Sequence, residues 1–199
     1  VDHRHRENTY DDFSREPLIP YKLSTEGPAL AIGDVNGNGL DDYYLGGARD
    51  FPGKLFLQNS DGTFTESEQA DFISDRRSED VDAIFFDATG NGYPDLYVVS
   101  GGNEYTGSSH ELLDRLYINQ EDGTFRRSIN SVPEFMVNGS VVRAADFNGN
   151  GHLDLFVGGH SVPWRYGIGP RSFILENNGL GVFEDVTEEY APDIETIGN

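Results

Sequence analysis

The sequence predicts an all-β chain built as three four-stranded β-propeller blades. Three observations predict it. A unit carrying the same motif recurs three times, and each unit resolves into four short runs of apolar, aromatic or β-branched residues bounded by glycine. Helical periodicity is nearly absent, residues 111–116 offering room for one turn at most. Four short strands in each 40–60 residues is the pattern of a propeller blade.

The units superimpose on Asp34, Asp87 and Asp146, which lie 53 and 59 residues apart. A first strand enters each aspartate, at residues 29–32, 81–86 and 141–145, and a second leaves the following loop, at 43–45, 96–99 and 155–157. A base then opens a third apolar run (Lys54, Arg115, Arg171). A turn through Gly62, Gly123 or Gly181 returns the chain into a fourth run at Phe64, Phe125 or Phe183. The turns align when Asn59, Gln120 and Asn177 are taken as their first residues. The units occupy residues 28–70, 80–130 and 140–190 of a single propeller segment, 28–195; residues 1–27 form a lead-in and 196–199 a tail. A closed propeller needs about 4–8 blades. Three units therefore imply a fragment of a longer chain, or a ring closed between chains, with self-association through open blade faces.

Composition narrows the function. Among 199 residues, 35 acids face 14 bases, for a formal charge of −21. That argues against nucleic acid or an anionic membrane as partner. Aromatics at 12% separate the chain from acidic disordered sequence, and no apolar stretch approaches a membrane span. No basic-then-apolar leader opens this chain. With no cysteine, disulfides, thiolate metal sites and cysteine nucleophiles are excluded.

The chemistry sits in a nine-residue loop after each first strand. Its side-chain oxygens fall at positions 1, 3, 5 and 9: Asp34, Asn36, Asn38 and Asp42; Asp87, Thr89, Asn91 and Asp95; Asp146, Asn148, Asn150 and Asp154. Position 6 is glycine in all three, as a sharp turn with positive φ requires. Position 7 can lend its backbone carbonyl whatever its side chain, which accommodates Leu40, Tyr93 and His152. An oxygen-only donor set selects Ca²⁺ over zinc or copper, and up to three ions are expected. The loop is not an EF-hand, because position 12 is Leu45, Val98 or Val157 where that motif needs glutamate. Thr89 makes the second loop the weakest. Asparagine at position 5 leaves two carboxylates per loop, so affinity should be modest.

These residues resemble the FG-GAP (VCBS-type) repeats found in integrin α-subunit propellers. Residues 34–42 look like the integrin calcium loop almost position for position. Residues 15–24 and 96–104 are similar to a bacterial FG-GAP group that carries an ASPIC/UnbV-type segment, and the likeness runs over roughly residues 10–195. The resemblance implies a β-propeller with calcium between the first two strands of a blade. It also implies an extracytoplasmic, secreted or cell-surface location, and binding or adhesion rather than catalysis. Thr89 and the position-5 asparagines depart from the family pattern.

Two insertions interrupt otherwise short connections, at residues 103–114 and 160–171. They bring Tyr105, Trp164, Arg165 and Tyr166, a composition suited to a protein or carbohydrate ligand. The leading expectation is a non-enzymatic binding module with structural calcium. The rivals are a polysaccharide-active propeller using Glu104, His110, His160 and Arg165, or an inert spacer in a larger chain.

Overall fold

A computed structural model describes residues 3–196; Val1, Asp2 and residues 197–199 of the expected tail lie outside the described residues. The fold is all-β, with three antiparallel four-stranded sheets. The first holds β1 (Leu30–Gly33), β2 (Asp42–Leu45), β3 (Lys54–Gln58) and β4 (Phe64–Ser67). The second holds β5 (Glu79–Phe86), β6 (Asp95–Gly101), β7 (Arg115–Asn119) and β8 (Phe125–Arg127). The third holds β9 (Asn138–Ala145), β10 (Asp154–Ser161), β11 (Phe173–Asn177) and β12 (Phe183–Asp185). Each is a meander in chain order, as expected of propeller blades.

Period-2 alternation explains how the sheets stack. Directly paired residues share a face. Ala31, Tyr44 and Leu55 of the first sheet meet Leu96, Val98 and Tyr117 of the second in one core. Tyr97, Val99 and Leu116 point the other way, and join Val142, Leu155, Val157, Phe173 and Leu175 of the third sheet in another. The second sheet is thus covered on both faces, and every residue of β6 is buried. By contrast, Leu30 and Ile32 on the far side of β1 are 53% and 62% exposed.

A short helix, α1 (Ala70–Ser74), joins the first two sheets. It is too short to leave a periodic signature in the sequence. Its Phe72 wedges between the sheets with ring centroids 5.3 Å from Tyr44 and 4.8 Å from Tyr117. A second, α2 (Thr187–Tyr190), follows β12. β5 and β9 begin earlier than expected, at Glu79 and Asn138, because buried polar residues extend them.

A buried polar network ties the first two sheets. The Arg115 guanidinium contacts Asp80 at 2.6 Å, with both side chains 3% exposed. The other Asp80 oxygen accepts the Tyr44 hydroxyl and the Gly47 N–H, each at 2.7 Å. Additional hydrogen bonds of this kind are what make a buried ion pair tolerable. Beside it, Asp114 accepts the Ser100 N–H at 2.8 Å and the Tyr97 hydroxyl at 2.9 Å.

Burial pushes the Asp114 carboxyl up to about 7, against the pull of those hydrogen bonds and of Arg115. Between its ordinary value of 3.8 and about 7, the folded protein holds a proton that the unfolded chain has released. The folded state binds more protons there, so this group's contribution to stability declines as pH rises through that window. Asp114→Asn is expected to flatten the decline, read from urea midpoints of variant and parent at pH 5 and pH 8. Parallel profiles would contradict the assignment.

Candidate metal centre

The three loops lie at one end of the sheets, each between the first two strands of its sheet. All three adopt one geometry. Positive φ at positions 4 and 6 curls the chain: Gly37 and Gly39 at 72° and 82°, Gly90 and Gly92 at 72° and 87°, Gly149 and Gly151 at 76° and 89°. An L side chain there would be strained. The curl turns backbone N–H groups onto the first aspartate. Asp34 accepts from Asn38 at 3.1 Å and Gly39 at 2.7 Å. Asp87 accepts from Gly90, Asn91 and Gly92, and Asp146 from Gly149, Asn150 and Gly151. The position-5 asparagines accept the N–H of position 7 at 2.8–2.9 Å, from Leu40, Tyr93 and His152.

The ninth position behaves differently. Asp42, Asp95 and Asp154 are fully buried. One oxygen of each accepts the N–H of loop position 2, from Val35, Ala88 or Phe147, at 3.0–3.2 Å. The other accepts the N–H that ends the third strand, from Gln58, Asn119 or Asn177, at 2.8–2.9 Å. Burial raises the Asp42 and Asp95 carboxyls, and the same N–H groups oppose the rise. In the second loop the Thr89 hydroxyl donates to Asp95 at 3.3 Å, so its oxygen is partly committed. In the third, the Asn148 amide donates to Glu176 at 2.8 Å, leaving its oxygen toward the loop, where it accepts from Asn150.

A carboxylate has about four lone-pair sites; five of these aspartates use two or three, whereas Asp95 accepts from the Ala88, Thr89 and Asn119 N–H groups and from the Thr89 hydroxyl. The set of two carboxylates, two amide or hydroxyl oxygens and a position-7 carbonyl is hard throughout and fits Ca²⁺. No three His, Cys, Asp or Glu side chains form a metal-holding group among the described residues. An ion held in a loop would therefore need its neutral oxygens as well as its two carboxylates.

Two asparagines outside the loops brace the first two of them, a role the sequence reading does not assign: Asn119 is unnamed there and Asn177 is placed as a turn residue. Asn119 and Asn177 end β7 and β11. The Asn119 amide donates to the Val35 carbonyl of the preceding loop at 2.7 Å and to the Pro94 carbonyl of its own at 3.1 Å. Asn177 repeats this with Ala88 and Leu153 at 2.9 and 3.1 Å. Each loop of the first two sheets is thus fastened to the next sheet. The expected turn alignment is corrected here by one residue: Asn59, Gln120 and Asn178 open equivalent turns, accepting none of this cross-sheet role, and Asn177 matches Asn119. The signal was the first of two adjacent polar residues at the third-strand exit, Asn119 before Gln120 and Asn177 before Asn178, which reads as an ordinary turn without the fold.

The insertions land elsewhere, at the opposite end of the sheets. Tyr105, expected at a binding surface, is instead buried, with its hydroxyl donated to the Arg77 carbonyl at 2.6 Å. Trp164 is partly exposed, but its indole donates to the Asn103 carbonyl at 3.0 Å and the Arg15 guanidinium covers its ring at 3.8 Å. Arg165 and Tyr166 line a cleft of about 340 Å³ against lead-in residues Ile19, Tyr21 and Leu23. His160 also lines it, bonded to Glu26 at 2.8 Å, a carboxylate that raises its pKa. His110 lines a different cleft and Glu104 is buried, so the four candidate catalytic side chains do not converge.

A family model for the FG-GAP-like repeat matches the chain twice, over residues 34–98 and 87–157. Each match starts at the first aspartate of one loop and runs through the next, and together they cover more than half of the chain. No match was found among curated proteins. Asn119→Ala should remove the donors to two buried carbonyls and cost about 1–3 kcal/mol, measured as a lower urea midpoint. An unchanged midpoint would show that the cross-sheet tie carries no stability.

Proposed function

The chain belongs to the FG-GAP-like repeat family, and from that premise we propose that it is a calcium-stabilised propeller segment serving as an extracytoplasmic binding module. One observation carries the reading: three loops of different sequence present the same oxygens on the same backbone curl. Asp34, Asn36, Asn38, the Leu40 carbonyl and Asp42 would hold the first ion; Asp87, Thr89, Asn91, the Tyr93 carbonyl and Asp95 the second; Asp146, Asn148, Asn150, the His152 carbonyl and Asp154 the third. Bound calcium would supply positive charge between two carboxylates and a cross-link between first and second strands. The protein's own part is preorganisation. The buried ninth aspartate in all three loops, and the next sheet's asparagine in the first two, hold the loop backbone in place, so little backbone entropy remains to be lost on binding. The cleft lined by Tyr21, Arg165 and Tyr166 is the surface we assign to a protein or carbohydrate ligand.

Melting with calcium and with EDTA tests the reading. A site that binds only the folded state adds RT ln(1 + [L]/Kd), about 2.7 kcal/mol at 100-fold excess. Absence of any calcium-dependent rise in Tm would remove the proposal. Asp34→Ala should lower the calcium increment by about one site and Asp87→Ala by less. The increment is the quantity to read, because Asp34→Ala also strands the Asn38 and Gly39 N–H groups in the metal-free protein.

The exposed Leu30 and Ile32 lie on the outer face of the first sheet, Ile32 beside Tyr43, at the edge of the area where His3 of the lead-in covers the buried Phe56. We place self-association on that face. Light scattering should show dimer at high concentration and monomer for Ile32→Lys; a monomeric parent at high concentration would end the idea.

A further inference from the structure

A separate set of oxygens lies at the end of the sheets away from the loops. Glu79 opens β5, whose far end enters the Asp87 loop, and Glu104 follows the end of β6, which starts at Asp95. The length of β6 puts roughly 20 Å between the two ends, at about 3.3 Å per residue. Glu79 is 1% exposed, and neither of its carboxylate oxygens has a hydrogen-bond partner. The Glu26 backbone N–H lies near enough to ease its charge, but outside hydrogen-bond geometry. Glu104 is also buried; its Oε1 accepts the Asn8 amide, while its Oε2 has no partner.

These free oxygens border one gap. A Cβ on Gly102 would stand 2.7 Å from Glu79 Oε2 and 2.8 Å from Glu104 Oε2. Glycine at this position, with φ of 87°, leaves that space open. The Asn8 side-chain oxygen is buried without a partner too. The surrounding charge deepens the need for a cation. Glu104, Glu7 and Glu26 all act against ionised Glu79, and Asp12 acts against Glu104. Arg49 draws Glu104 the other way, but its guanidinium is engaged over the Tyr105 ring at 5.0 Å. A buried carboxylate without partners is costly unless it is neutralised or coordinates a metal.

We propose that Glu79 and Glu104, with the Asn8 side-chain oxygen, form a further site for a hard divalent cation of the calcium type, separate from the three loops. Two carboxylates and an amide oxygen suit such an ion, with water to complete its shell. Occupancy joins the lead-in, through Asn8, to the second sheet through Glu79 and Glu104. The cation so clamps a segment that has no strand of its own onto the blades.

Terbium(III) is the probe, because Trp164 stands beside this site and not beside the loops: its indole bonds the residue that precedes Glu104. The triple variant Asp34→Asn/Asp87→Asn/Asp146→Asn, checked for folding by circular dichroism, should retain one terbium equivalent and tryptophan-sensitised emission. Adding Glu79→Gln should abolish both. A triple variant that folds and binds no terbium overturns the proposal and leaves the loop assignment standing. Loss of the loop assignment would instead show as a parent that binds a single equivalent. Should the triple variant fail to fold, Glu79→Gln alone decides. It should melt higher than the parent in EDTA, because the cost of burying a carboxyl that is ionised in the unfolded chain is gone, yet bind one equivalent fewer and lose the sensitised emission. A higher melting point with unchanged stoichiometry means that the carboxylates share a proton, and overturns the site.

Discussion

The buried aspartate at the ninth loop position is the constraint on which the remaining structure rests. Asp42, Asp95 and Asp154 each bind two N–H groups that belong to different parts of a blade, the mouth of the loop and the exit of the third strand. The first and third strands are not neighbours in the sheet, so no hydrogen-bond ladder joins them directly. A carboxylate bridging them sets the loop's position before any ion is bound. Its burial is unfavourable, as the raised pKa of Asp42 and Asp95 indicates, and the N–H pair offsets that cost.

From this corner the architecture spreads to the neighbouring sheets by two kinds of contact. The apolar kind is non-directional, and arises because β6 has no solvent face: odd and even residues serve different cores. The polar kind is directional. Asn119 and Asn177 lock loop to sheet, the Asp80–Arg115–Tyr44 network locks sheet to sheet, and Asp82 accepts the Val142 N–H at 2.9 Å to do the same for the third. Apolar packing brings the blades together; these bonds choose the register in which they meet.

The charge of the chain divides accordingly. Most of the 35 acids lie outside the core, which suits a solvated surface, yet in addition to the three buried loop aspartates Asp12, Glu16, Glu79, Asp80, Glu104 and Asp114 are buried. Several of these hold the lead-in: Asp12 accepts the Ser24 hydroxyl at 2.6 Å and Glu16 the Asn103 amide at 2.8 Å. Acidity is therefore a building material at the lead-in end, in a chain with no cysteine to cross-link it.

The sequence by itself determined the blade: four strands, the turn glycines and the loop oxygens. Those follow from local rules, because alternation, positive φ and short-range side-chain-to-backbone bonds act within about ten residues. It also carried the family. Beyond its reach were the second partner of each ninth aspartate, the asparagine ties, the burial of Tyr105 and the pairing of Glu79 with Glu104. Asn119 meets Val35 across 84 residues, and Tyr44 meets Asp80 across 36. Such contacts form only when separate sheets have stacked. A buried carboxylate and a solvated one read alike in a sequence, and only packing decides which of them must find a partner.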